Sequence, residues 1–435
     1  MTQKNDKDNS WTIEDEKGHP FSTLEWWAVI GFFTTKENQK QWSIKATLSE
    51  GNFDKKQIDS LCNITLFDQQ EKRHYVSYMR MQNKRLKTKQ DTFNISFNDS
   101  FIKGSYPYYR AHFWDPDQNI EIDFTIQADS DPHWVAQQAT NGWLPMGLGL
   151  FRYGFIPKIK IVGTIKIHGH LYNINGTGYF EHVWGNFSFN NPLASIKDFK
   201  KTMSIYAHLI IWWLRNRKLQ IPTTLMFSTE NNPLGYDWAW AFLNNGWTVF
   251  YGNSLFWMME GSATGILILS KDGKNFTEFN NLHFRYNEIK KANTYDFVYP
   301  SEFEVTAIKE KEILHLRFIM TQECREYVSQ FPNKRYWLAF VICEAPGIVK
   351  GYYKIDNKKI QLTGISKIEP QRQVSIIGHN TLRLNILKPP EGAGISFEID
   401  SHYLGKKINV QLQLLPKPII QLHCSKVKKL NYQKD

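Results

Sequence analysis

Only four cysteines, Cys62, Cys324, Cys343 and Cys424, occur in 435 residues, and no two stand at the spacing of a metal knuckle. That excludes a small disulfide-stapled fold and a cysteine-ligated zinc module, and it fits free thiols in a reducing compartment. No run reaches the roughly 18 apolar residues of a spanning helix. Residues Met1–Ser10 are polar and charged, so the expected location is the cytoplasm, with membrane association left to surface contacts. A glycine-rich phosphate loop, a serine nucleophile elbow and a Cys-His nucleophile pair are all missing. Basic side chains outnumber acidic ones 53 to 42, for a net charge of +11. The excess is spread along the chain without a zinc-finger or RNA-binding signature, so nucleic acid is not an expected partner.

What the chain has in quantity is aromatic side chains, 15 Trp, 20 Tyr and 29 Phe against 22% charged residues. Strands and hydrophobic ligand pockets both favour them. Short runs of β-branched and aromatic residues follow one another from Trp26–Thr34 through Ile120–Ile126, then Lys158–His168 and His170–Phe180. This spacing predicts an antiparallel all-β meander that forms a barrel or a sandwich. Asp129–Gly154 interrupts it with prolines, glycines, Trp134 and Trp143, and reads as a functional loop or barrel-mouth lid.

At Ile196, Phe199, Met203, Tyr206, Ile210 and Trp213 the apolar period changes to three and four, which predicts a helix over Ser195–Leu214 with Ser195 as its N-cap. Strand patterns resume at Trp238–Phe242 and Trp247–Tyr251 around the Asn244-Asn245-Gly246 turn, and again before the Asp272-Gly273 turn. The organisation expected is a polar lead-in over 1–20, a first barrel over 21–190, an amphipathic helical insertion over 191–233 and a second barrel with a C-terminal extension over 234–435. Residues 203–218 join Trp212 and Trp213 to Arg215, Arg217 and Lys218. They read either as a packed helix or as a peripheral membrane contact.

Three patches together resemble the family of lipocalin-like hydrolases that includes bacterial carotenoid hydratases (hydroxyneurosporene synthases). They are Glu25-Trp26-Trp27, the segment Gly178-Tyr179-Phe180-Glu181-His182-Val183-Trp184-Gly185, and Gly235-Tyr236-Asp237-Trp238 followed by Trp247 and Tyr251. The resemblance spans roughly residues 25–370. It implies two lipocalin-like (calycin) β-barrels and a hydratase, isomerase or cyclase acting on an isoprenoid or polyene chain. On it, His182 and Trp184 fall on a His-x-Trp pair and Tyr251 on a following tyrosine. Those hydratases carry an aspartate where this chain has Asn253, a residue that cannot donate a catalytic proton.

Hydrating a C=C bond needs a placed acid, one water and a pocket that tolerates a carbocation, with no cofactor or metal. The expected catalytic residues are Glu181, His182, Asp237, Tyr251 and Asn253, with Trp26, Trp27, Trp184, Trp238 and Trp247 lining the substrate. His182 would relay a proton or orient water. Glu181 and His182 also read as plain hydrogen-bond anchors, and Trp26, Trp27 and Trp184 as barrel plugs. His168-Gly169-His170 offers two imidazoles but no third metal ligand. The other class of function is a carrier that holds a hydrophobic small molecule unchanged, which needs only apolar walls and a polar mouth.

Overall fold

The computed structural model describes residues 11–54, 57–89, 91–188, 196–215, 224–228, 235–255, 265–292, 298–329, 338–375, 380–387, 392–401 and 405–427. Ser195, Pro192, Pro222, Arg217, Lys218 and the Tyr336-Trp337 pair lie outside them. The strand alternation legible from Leu24 onward becomes three sheets, and the protein is all-β.

The first sheet contains β1 (Leu24–Thr35), β2 (Gln41–Asp54), β3 (Gln57–Asp68), β4 (Arg73–Met81), β5 (Lys87–Thr88), β6 (Phe93–Phe97), β7 (Ser100–Ser105), β8 (Tyr108–Asp115), β9 (Ile120–Ala128), β10 (His133–Trp134), β11 (Trp143–Met146), β12 (Gly149–Ile167) and β13 (His170–Asn186). It curls in the order β4-β3-β2-β1-β13-β12-β9-β8-β7-β6-β5. Its inward residues, among them Trp27, Ile44, Ile64, Phe97, Phe113, Ile161 and Phe180, form one buried cluster. The interior of this sheet is therefore packed with side chains. At its middle Gly31 faces Gly178. A Cβ on Gly31 would lie 2.7 Å from the Ile161 side chain, so the missing side chains let Ile161 cross there.

Residues Asp129–Gly154 do not form a free lid. They fold back as β10 and β11, both paired to β12, with a short helix α2 (Gln137–Thr140) between them. Glu278 holds this return, accepting from the backbone N–H groups of Gln137 at 2.8 Å and Gln138 at 3.2 Å and meeting His133 Nε2 at 3.0 Å. The His168-Gly169 pair proves to be the β12–β13 turn, both residues having positive φ (50° and 88°), as a two-residue hairpin of this hand requires.

The remaining strands are β14 (Thr224–Ser228), β15 (Gly235–Leu243), β16 (Thr248–Leu255), β17 (Gly265–Ser270), β18 (Phe276–Phe279), β19 (Asn281–Lys291), β20 (Val298–Lys309), β21 (Glu312–Met320), β22 (Arg325–Ser329), β23 (Leu338–Ile355), β24 (Lys358–Ser375), β25 (Asn380–Leu387), β26 (Ala393–Ser401), β27 (Lys406–Leu415) and β28 (Ile419–Lys426). Ten of them make a sheet ordered β18-β17-β16-β15-β24-β23-β21-β20-β19, with β22 on β23. Five make a separate sheet, β14-β25-β26-β27-β28. The expected C-terminal extension thus becomes a sheet of its own, and it recruits a strand from within the expected helical insertion. The insertion does contain a helix, α3 (Phe199–Leu214), entered through a 3-10 turn at Ile196–Asp198.

By contacts the chain divides into two units. The first is Met1–Trp212 with Trp240–Phe250 and Ile268–Glu278, and the second is Trp213–Ala239, Tyr251–Leu267 and Phe279–Asp435.

Candidate functional site

Along β13 successive side chains alternate, so Phe180, His182 and Trp184 face the packed interior while Tyr179 and Glu181 face out. The register extends this across three strands. Trp27 pairs with His182 and Ala28 with Glu181 on β1, and Gly154 and Phe155 take the same two rows on β12. Adjacent candidates Glu181 and His182 therefore serve opposite faces.

On the inner face His182 is fully buried between Trp27 and Trp184, with ring centroids 4.5 Å from each. Its Nδ1 lies 2.7 Å from the Asp15 carbonyl and its Nε2 2.9 Å from Glu25 Oε1. Glu25 also accepts the His19 backbone N–H, at 3.0 and 2.9 Å, and meets His19 Nδ1 at 2.8 Å. The Trp27 indole donates to the Glu16 carbonyl at 2.8 Å, and Arg152 pairs with Asp15 at 2.8 Å. Trp11 packs on Trp134 at 5.0 Å, in space that exists because Gly154 has no Cβ. These contacts wind residues Trp11–His19, expected as part of a loose lead-in, into the end of the first barrel. His182 and Trp27 are the posts to which that segment is tied.

His19, Glu25 and His182 also bring three ligand-type atoms within 4.8 Å of one another. Bonds of about 2.0–2.1 Å to zinc would hold neighbouring ligand atoms roughly 3.3 Å apart. The 2.8 and 2.9 Å separations here have hydrogen-bond length.

Burial on its own would raise the Glu25 carboxyl, but hydrogen bonds from His182 and His19 bring it below its ordinary value of 4.5. For His182, burial presses toward neutral imidazole and outweighs the pull of Glu25. Both ring nitrogens are engaged, one by the Asp15 carbonyl and the other by the Glu25 carboxylate. Because the folded-state value of Glu25 is depressed, its contribution to stability is present above pH 4.5 and is lost as pH falls through the lower folded value. Between about pH 5 and pH 3 the parent should therefore lose more stability in urea unfolding than Glu25→Gln, whose amide takes up no proton. Equal acid limbs for the two proteins would show that this pair does not hold the segment.

On the outer face, Glu181 is 6% exposed and receives two donors. Trp26 Nε1 donates to Oε1 at 2.9 Å, and the Tyr153 hydroxyl donates to Oε2 in a very short hydrogen bond. Tyr179 OH stands 3.0 Å behind Tyr153 OH. Burial, and then the Glu181 charge, push the Tyr153 phenol well above its ordinary value, so it stays protonated. Phe155 stacks on Phe250 at 4.8 Å, Tyr153 meets Phe250 edge-on at 5.5 Å, and Trp240 lies 5.9 Å from Tyr179. All of these residues belong to the first unit. Trp26 and Tyr153 are half-buried, while Glu181, Phe155, Tyr179, Trp240 and Phe250 are buried, so the carboxylate and its tyrosine relay sit among closely packed aromatic rings.

In the second unit Asp237 is buried and fully engaged. Its Oδ1 accepts from Arg372 Nη2 at 2.8 Å and its Oδ2 from the Tyr286 hydroxyl at 2.5 Å. Arg372 also donates from Nη1 to the carbonyls of Tyr236 and Gln371, at 3.0 and 2.9 Å. Asp237 is thus held as the ion-pair partner of a buried guanidinium. Tyr251 and Asn253 are buried nearby, with the Asn253 side chain beside the Tyr251 hydroxyl. Of the expected substrate-lining tryptophans, Trp26 borders Glu181, Trp27 and Trp184 border the tied segment, Trp238 is buried in the second unit, and Trp247 is half-buried with Lys271 Nζ 5.4 Å from its ring. Tyr153, Tyr179, Tyr286 and Arg372 had no place among the sequence candidates. Each sits in an ordinary strand pattern and gains meaning only from a partner far along the chain.

No protein-family model matches the sequence, and no curated protein matches it. Solved structures do. A protein from Nitrosomonas europaea described as an AttH superposes with a TM-score of 0.54 at 15% identity, over 82% of this chain and 96% of that one. Kievitone hydratase from Nectria haematococca gives 0.52 at 13% identity, over 84% of this chain and 93% of that one. CghA with Sch210972 gives 0.49 at 8% identity, over 84% and 94%. What the first two share with this chain is the fold. The all-β, lipocalin-like fold implied by the three sequence patches is therefore present.

Proposed function

We propose that this chain is a cofactor-independent proton-transfer enzyme of hydratase, isomerase or cyclase type, acting on a hydrophobic isoprenoid or polyene chain at the outer face around Glu181. The observation that carries the reading is the Glu181–Tyr153–Tyr179 relay beside Trp26, Phe155 and Phe250. A likeness in fold to kievitone hydratase supports it. A carboxylate oxygen can take up a proton while it accepts a hydrogen bond, so Glu181 can carry the proton without releasing Trp26 or Tyr153. For a hydration, that proton passes to one alkene carbon, aromatic faces stabilise the carbocation, and water bonds to the other carbon. The proton lost by the attacking water returns to Glu181 through Tyr153, so the net change is addition of H and OH. Loss of a proton from a neighbouring carbon instead gives isomerisation, and attack by a second double bond gives cyclisation.

The carrier alternative asks for a chamber, and the side chains packed inside the first sheet leave the outer face as the better-supported place for a ligand. A lipophilic substrate also has a counterpart on the surface. Helix α3 turns Phe199, Ile210, Ile211 and Leu214 outward, each more than 40% exposed. This supports substrate loading from a bilayer through residues 203–218, of which 216–218 lie outside the described residues.

The test begins with mass spectrometry of the molecule that co-purifies with the protein. Incubating the parent with that molecule in ¹⁸O-labelled water should yield a product heavier by one labelled water, or an unlabelled isomer. An unchanged ligand after many equivalents of protein and time returns the chain to the carrier class.

A further inference from the structure

The five-stranded sheet carries a surface that the chemistry around Glu181 does not use. On β27, Val410 lies opposite Phe397 of β26 and Leu422 of β28, and Leu412 opposite Ile395 and Ile420. Directly opposed residues share a face, so these three strands present one apolar side. The alternate rows are polar, Asn409 with Glu398 and His423, and Gln411 with Ser396 and Gln421. A sheet with this alternation normally buries its apolar side. Here Leu412 is 41%, Leu414 70%, Ile420 82% and Leu422 72% exposed on that side, and Leu415 beside the turn is 57% exposed. Soluble monomers rarely leave a contiguous patch of this kind open to water.

Within the hairpin the charges have one sign, and Lys407 pairs with Glu398 of β26 at 2.6 Å. Residues 405–427 include Lys406, Lys407, Lys417 and Lys426 and no acidic residue. Lys417 stands in the turn itself, between Leu415-Pro416 and Pro418-Ile419. We propose that the β27–β28 hairpin is a docking surface for an anionic phospholipid bilayer. Leu414, Leu415 and Ile420 enter the boundary between headgroups and acyl chains, and the lysines meet headgroup phosphates. A second copy of the chain fits the same surface less well. Two such hairpins bring only lysines together, and Lys417 and Lys426 flank both ends of β28, where charge hinders edge-to-edge pairing. The inference is independent of the role of Glu181.

Co-sedimentation of the full chain with vesicles tests it. The parent should pellet with phosphatidylcholine vesicles containing about 30% phosphatidylserine, much less with phosphatidylcholine alone, and less again at high salt. The double substitution Leu414→Asp/Ile420→Asp should lower partitioning about tenfold or more, and Lys417→Glu should lower it by a smaller factor. These side chains are exposed, so melting temperatures should stay near the parent's. Ile210→Asp/Ile211→Asp reports on α3 separately, and the two surfaces hold or fail independently. Full binding by the hairpin variants, or no binding by the parent, overturns the proposal. So does a dimeric parent mass by light scattering that the double substitution reduces to a monomer.

Discussion

Replacing Glu181 by Gln should lower turnover by roughly 10²–10⁴-fold while ligand affinity stays close to the parent's. The amide keeps the shape of the carboxyl and can still accept the Trp26 indole N–H, so the aromatic face is undisturbed. It cannot carry a proton to carbon, and about 2.7–5.5 kcal/mol of barrier lowering goes with that ability. Tyr153→Phe is the informative companion. It leaves the carboxylate in place but removes its donor and its link to Tyr179, so the loss should be smaller and should come with a changed pH–rate profile. Single-turnover assays with ligand affinity measured in parallel separate chemistry from binding. A Glu181→Gln enzyme as fast as the parent removes that carboxyl from the reaction.

Arg372→Met should cost about 3–5 kcal/mol of stability, because it leaves Asp237 buried without its cation. Burial opposes the guanidinium charge, and Asp237 more than restores it, so each group depends on the other. Replacing both at once, Asp237→Leu with Arg372→Met, should recover much of the loss, since two apolar residues need no partner. Urea unfolding of the two single variants and the double variant measures the coupling directly. If Arg372→Met unfolds at the parent's midpoint, the pair is not structural. If Asp237→Asn folds normally yet is inactive, the catalytic role expected for Asp237 as an acid flanked by aromatic residues stands, with Arg372 as its orienting partner.

Local pattern carried much of the architecture. The helix over Ser195–Leu214 was legible because its period of three and four breaks the surrounding period of two, and α3 occupies Phe199–Leu214. The Asn244-Asn245-Gly246 and Asp272-Gly273 turns were legible from turn chemistry alone, and Gly246 and Gly273 have the positive φ those positions favour. The same period of two separates Glu181 from His182. Neighbours on a strand serve opposite faces, so a single site built from both was never geometrically available.

What stayed hidden was pairing across long stretches of chain. Tyr153 lies 28 residues from Glu181, and Arg372 lies 135 residues from Asp237. No local signal marks either partner, because a tyrosine or an arginine in a strand is ordinary until another strand is laid beside it. The alternation over 406–426 announced strands. It could not announce that they would pair away from the second large sheet with Thr224–Ser228 as a fifth member.

The tie between Trp11–His19 and His182 also bears on how the chain is made. Asp15 and His182 are 167 residues apart, so on a ribosome the segment emerges about 10–30 s before the imidazole it must reach. Until then Trp11 has neither Trp134 nor the space above Gly154 to enter. The segment is thus synthesised well ahead of the strands it needs, and it can take its seat only once β13 has been laid down.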